Sequence, residues 1–158
     1  MKKVLIIDDE KNIQLSLASI LDDEGYQTFF AASGEEGIEK VKNIKPDAVF
    51  LDIWLPGIDG LETLGKILTI NPLQIVIMIS GHGDIATAVR AVKDGAYDFM
   101  EKPLGLDKVT LVLKRGLEYR KVLEENERLR SLLEESPEKE NLRIRIQEKD
   151  FCFALLIG

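Results

Sequence analysis

One cysteine, one histidine, one tryptophan and five prolines in 158 residues leave several kinds of chemistry without material. The single Cys152 excludes an internal disulfide framework and any CxxC zinc site, and reads as an inert apolar residue. His82 stands alone in "SGHGD", and a lone loop histidine most often has no chemical role. No run of 18 apolar residues occurs, so no membrane span is expected. The start "MKKVLIIDDE" has too short an apolar part, and meets acids too early, to read as a signal peptide. Positive charge is also short: 21 Lys and Arg against 28 Asp and Glu give a net charge of −7. An acidic chain repels DNA phosphates, so direct nucleic-acid binding by this chain is not expected. A cytoplasmic protein is the simplest expectation. What is present is a 45% hydrophobic content, enough for a real core, in a length that suits one domain and an appendage.

Short apolar runs alternate with longer amphipathic stretches. "KVLIID", "YQTFFAA", "DAVFLD", "LQIVIMIS" and "YDFMEK" read as strands. Between them, "NIQLSLASILDDEG", "GEEGIEKVKNI", "LETLGKILTI" and "DIATAVRAVKDG" read as helices. Ser33, with Glu36 three residues on, has the pattern of a capping box. Pro46 ends the second helix, and "PGIDG" is a turn-rich loop. From Leu106 a long fifth helix begins. Strands apolar on both faces belong to a parallel sheet covered on two sides. The expected fold is therefore α/β, a flavodoxin-like, doubly wound five-stranded parallel sheet of order 2-1-3-4-5 with an extended C-terminal coiled-coil helix.

Function in such a fold gathers outside the carboxyl ends of the strands. Strand one ends in Asp8 and Asp9, strand three in Asp52, strand four in Ser80 and strand five in Lys102. Taken singly, Asp8 and Asp9 read as helix caps, Asp52 as a turn residue, Ser80 as a cap and Lys102 as a surface lysine. Taken together, they place three carboxylates side by side, which a cation must offset. Hard oxygen ligands select Mg²⁺. A lysine and a hydroxyl beside that cation suit a phosphoryl group, and a carboxylate facing it can be the covalent acceptor.

The segments "IDDE", "LDIWLPGIDG", "ISGHG" and "AYDFMEKP" resemble the signature segments of response-regulator receiver domains, in order and spacing, over roughly the first 120 residues. "DIWLPGIDGLETL" and "IMISGHG" resemble most the NtrX branch of the NtrC-type two-component transcriptional regulators. The resemblance implies that Asp52 is the phospho-acceptor for a sensor histidine kinase. It implies that Asp9 and Asp52 hold Mg²⁺ directly, with Asp8 acting through water and the Trp54 backbone carbonyl completing the set. Ser80 and Lys102 would each take a phosphoryl oxygen, and Phe99 would be the aromatic switch that packs inward when Ser80 moves. The Lys102–Pro103 peptide would be cis. The chain would then be a regulatory phospho-acceptor and not a turnover enzyme. A haloacid-dehalogenase-like aspartyl phosphatase wants an Asp two residues after its nucleophile; Trp54 stands there and cannot transfer the proton. A phosphate-independent interaction module would leave all these groups idle.

In the last helix, Tyr119, Val122, Asn126, Leu129 and Leu133 alternate spacings of three and four. This is an a/d seam with Asn126 at an a position, the pattern of a parallel, in-register homodimer. The alternative is a solvated helix. The expected organisation is a receiver domain over 1–120, a dimerising linker helix over 121–136, and 137–158 as linker and truncated start of an ATPase domain. "FALLIG" resembles the strand that ends at the nucleotide loop of the family's ATPase domain, but no GxxxxGK[ST] follows Gly158. A fragment, a truncated product and a short natural variant all fit this ending.

Overall fold

The computed structural model describes residues 1–81 and 84–134. His82, Cys152 and the expected strand and linker of 137–158 lie outside the described residues. Five strands and five helices alternate: β1 (Lys3–Ile7), α1 (Lys11–Asp23), β2 (Gln27–Ala31), α2 (Gly34–Ile44), β3 (Ala48–Asp52), α3 (Gly60–Ile70), β4 (Ile75–Ser80), α4 (Ile85–Lys93), β5 (Asp98–Glu101) and α5 (Leu106–Glu134). The strands form one parallel sheet of order β2-β1-β3-β4-β5, as the apolar pattern predicts.

The sheet is central because its strands alternate between two apolar faces. Leu5, Ile7, Val49, Leu51, Val76 and Met78 point to one side, where Val41 of α2, Leu64 and Ile67 of α3, and Ala88 and Ala91 of α4 cover them. Val4, Ile6, Ala48, Phe50, Ile75, Ile77 and Ile79 point to the other, under Leu17 and Leu21 of α1 and Val109, Val112 and Leu113 of α5. Successive side chains of a strand face opposite ways, so a run such as Val4–Ile7 fills both cores at once. Each fully buried aliphatic side chain contributes about 1.5–3 kcal/mol of transfer free energy.

The helix boundaries follow local chemistry. Ser33 caps α2, its Oγ accepting from the Glu36 N–H at 3.2 Å, while the Glu36 carboxylate reaches back to the Ala32 N–H at 3.0 Å. Lys45 ends α2 in a left-handed conformation with φ 53°, and Pro46 prevents continuation. Asp59 caps α3, accepting from the Glu62 N–H at 2.8 Å. Gly60, the first residue of α3, donates its N–H to the Ile53 carbonyl at 2.8 Å. A Cβ there would sit 2.4 Å from the Asp52 carbonyl oxygen and 2.7 Å from Ile53 Cα. Only glycine lets α3 start so close to the end of β3.

The chain divides into two compact units, residues 1–120 and 121–158. In the first, α5 is fixed at the amino edge of the sheet. Arg120 donates from Nη1 to the carbonyls of Pro46 at 2.9 Å and Asp47 at 2.7 Å. The Tyr119 ring lies 5.6 Å from that of Tyr97. Tyr119, expected to head the helix seam, is thus also a packing partner within its own receiver unit. In the second unit the described part is the helix 121–134, on which Val122, Asn126 and Leu129 are exposed and Leu133 is half-buried.

Candidate functional site

Asp8 follows β1 directly and is fully buried. Its N–H donates to the Ala31 carbonyl at 3.0 Å, and its Oδ1 accepts the Glu10 N–H at 2.8 Å. Gln14 of α1 donates to its carbonyl at 2.6 Å. One side of the carboxylate is therefore fixed by backbone. The other oxygen, Oδ2, is buried and has no hydrogen bond. Asp52, the last residue of β3, is also buried. Because β1 and β3 are neighbours, with Ile7 opposite Leu51, the two carboxylates emerge side by side.

Lys102 enters from the end of β5, just before a cis peptide to Pro103. Its N–H bonds the Ser80 carbonyl at 2.9 Å, which ties it to the end of β4. Its Nζ lies 3.4 Å from Glu10 Oε1, 3.5 Å from Asp52 Oδ2 and 3.7 Å from Asp8 Oδ2. One ammonium is thus shared among three acids. Burial works against the charged ammonium, but the carboxylates of Asp52, Asp8 and Glu10 outweigh it and raise the Lys102 pKa.

The acids are strained in the opposite sense. Burial pushes the Asp52 carboxyl up to about 6, with the Asp8 charge adding, against Lys102 and the Trp54 backbone N–H. Burial also raises Asp8, helped by the charges of Glu10 and Asp9 and opposed by the Glu10 N–H and Lys102. A single lysine does not neutralise the cluster.

Oxygens of Asp8, Glu10 and Asp52 all lie within 4.8 Å of one another. The donors are hard oxygens only, and one of them, Asp8 Oδ2, is buried without a hydrogen bond. That set fits a small, hard divalent cation. Of the two acids expected to face a cation directly, Asp52 belongs to this group. Asp9 is exposed and outside it, acting on the site through its charge. Asp8, expected to act through water, is the buried member.

Glu10 stands at the start of α1. It occupies the N-cap position, but its side chain makes no capping bond and turns to Lys102. Ser80 is buried at the end of β4 and does not cap α4, whose N-cap is Asp84. Its Oγ instead donates to the Met100 carbonyl at 3.4 Å. Phe99, next along β5, is half-buried against the core on the α4 side. Trp54, two residues after Asp52, is 62% exposed.

The model of the response regulator receiver domain family matches residues 4–114. The chain belongs to this family. It is 44% identical over 131 residues to the nitrogen assimilation regulatory protein NtrX of Azorhizobium caulinodans, covering 82% of this chain and 29% of that protein. It is 36% identical over 135 residues to the C4-dicarboxylate transport transcriptional regulatory protein DctD of Rhizobium meliloti, covering 85% of this chain and 29% of that one. The crystal structure of the NtrX receiver domain from Brucella abortus superposes with a TM-score of 0.71 at 46% identity, over 73% of this chain and 98% of that one. The chain thus spans about three-tenths of the length of the curated relatives, over the receiver domain. Among the described residues, no helix is long and apolar enough to cross a membrane.

Proposed function

We propose that the chain is the phospho-acceptor switch of an NtrC-type, NtrX-like two-component regulator. The carrying observation is the buried Asp52 carboxylate with Lys102 Nζ 3.5 Å away and an unbonded Asp8 oxygen beside it. The donor is the phosphohistidine of a sensor histidine kinase. An Asp52 oxygen forms the new O–P bond as the P–N bond breaks and the electron pair returns to the imidazole nitrogen. Asp52 acts as its carboxylate, the prevailing form at neutral pH for a group pushed up to about 6.

Mg²⁺ is the expected cofactor, held by Asp8, Asp9, Asp52 and the Trp54 backbone carbonyl; when bound, it offsets the negative charge that gathers on the transferring phosphoryl oxygens. Lys102 pairs with one phosphoryl oxygen. Ser80 gives up its bond to the Met100 carbonyl to donate to another, and Phe99 follows by packing inward. The helix face of exposed Val122, Asn126 and Leu129 and half-buried Leu133, with Tyr119 at its head, supports a parallel homodimer whose state carries the output. We assign 1–120 to the receiver, 121–136 to the dimerising helix, and 137–158 to a linker leading into an ATPase domain of a sigma-54-type regulator. The phosphatase reading gains nothing from the structure, since exposed Trp54 offers no acid where that chemistry needs one.

The test is modification by acetyl phosphate, or binding of beryllofluoride, with Mg²⁺ and with chelator. Labelling is expected only with Mg²⁺ and only with Asp52 intact. Equal labelling of Asp52→Asn, or full labelling in chelator, would remove the assignment.

A further inference from the structure

The phospho-acceptor reading assigns no role to Glu10, yet the shortest ion pair of Lys102 is with this residue. The Glu10 main chain is fixed twice, its N–H on Asp8 Oδ1 and its carbonyl accepting from the Ile13 and Gln14 N–H groups of α1. A side chain at an N-cap ordinarily satisfies a free helix N–H. The Glu10 side chain does not, and α1 has no acid in its first turn. The carboxylate is instead committed to Lys102.

The three acids around that ammonium differ in position. The side chains of Asp8 and Asp52 are 0% and 4% exposed, whereas that of Glu10 is 60% exposed. On the phospho-acceptor reading the two inner, buried acids serve the cation and the phosphoryl group, and Glu10, although its oxygen lies within 4.8 Å of theirs, is left to Lys102. Glu10 is the outer one, at the mouth.

We infer that Glu10 is a positioning residue that holds the Lys102 ammonium at the mouth of the site and competes with the phosphoryl group for it. This rests on the phospho-acceptor reading. Once a divalent cation offsets Asp8 and Asp52, Glu10 is the acid in this cluster that still draws Lys102. The incoming phosphoryl oxygen must then win the ammonium from it. Because the pair is partly exposed, the competition is modest, and its loss should tighten phosphoryl-analogue binding by about two- to fivefold.

The test uses the full chain with Glu10→Gln and Glu10→Asp. The Lys102 side-chain ammonium is followed by NMR, and beryllofluoride binding in saturating Mg²⁺ by fluorescence of Trp54, the sole tryptophan. Asp keeps the charge and is a good N-cap, but its carboxylate falls about 1.5 Å short of the reach of Glu. In both variants the Lys102 resonance is expected to shift, in cation-free protein as well, and beryllofluoride half-saturation to fall by about two- to fivefold. An unmoved Lys102 resonance would overturn the inference. So would a gain in Glu10→Gln with Glu10→Asp unchanged, which would show simple repulsion between the Glu10 charge and the anion. A wild-type protein that binds no beryllofluoride would overturn the phospho-acceptor reading itself, which is a different result from wild-type binding that the variants leave unaltered.

Discussion

Asp52 carries opposing demands on one carboxylate. Its folded pKa, about 6, lies above the unfolded value near 3.8. Its favourable contribution is therefore fully present below pH 3.8 and is lost as pH rises through 6. At neutral pH without a divalent cation, the ionised side chain destabilises the fold. Asp52→Asn in chelator is expected to stabilise the protein by about 2 kcal/mol at pH 7.5 and by nothing measurable near pH 3.5. Urea melts at the two pH values check this; equal gains at both would show that the effect is not one of charge. Single residues were unevenly legible from sequence. Asp8, Asp52, Ser80 and Lys102 could be placed because each ends a readable strand. Glu10 could not, because its partner Lys102 is 92 positions away and a charged residue at a helix start has a sufficient local explanation. The one available signal was that it directly follows two acids at a strand end. Asp8 and Asp9 look alike in sequence, and only the fold separates them into a buried and an exposed acid.

Elements were legible where periodicity was strong. All five strands and all five helices lie within one or two residues of the apolar patterns, since each strand must fill two cores and each helix one. The start of α3 was less clear: "PGIDG" reads as a loop, and the cap by Asp59 and the close seat of Gly60 depend on where β3 ends. That seat makes a sharp prediction. In Gly60→Ala the new methyl meets backbone atoms that cannot swing aside. A loss of about 1–3 kcal/mol is expected by denaturation, along with slower phosphorylation, as the loop bearing Trp54 is displaced. Gly65→Ala is the control, because a Cβ there meets nothing within 4 Å. A Gly60 variant as stable as the Gly65 variant would show that α3 has room to move.

At the scale of the whole molecule, the chain forms two compact units, residues 1–120 and 121–158. The apolar residues of α5 change character along its length. Val109, Val112 and Leu113 are buried in the receiver core, while Val122 and Leu129 are exposed. The proposed dimer would cover Val122 and Leu129, which are exposed among the described residues. Chains ending at Arg120 are expected to run as monomers in analytical ultracentrifugation, with the full chain heavier at the same concentration. A dimer that survives this truncation would move the interface to the receiver body. The Arg120 and Tyr119 contacts belong to the receiver side of that cut, so the shortened chain keeps its last packed turn.

The parallel sheet has a temporal consequence. No two adjacent strands are joined by a hairpin, and Val4 pairs with Ala48, Ala48 with Ile75, and Ile77 with Asp98. Every pairing waits for an intervening helix to close a long loop. The groups that meet at Lys102 come from the ends of β1, β3 and β5, so no fragment of the receiver assembles them. A nascent or half-unfolded chain has the acids but not their arrangement. Under the phospho-acceptor reading, only a receiver that has finished folding presents Asp52, Asp8 and Lys102 together to take the signal.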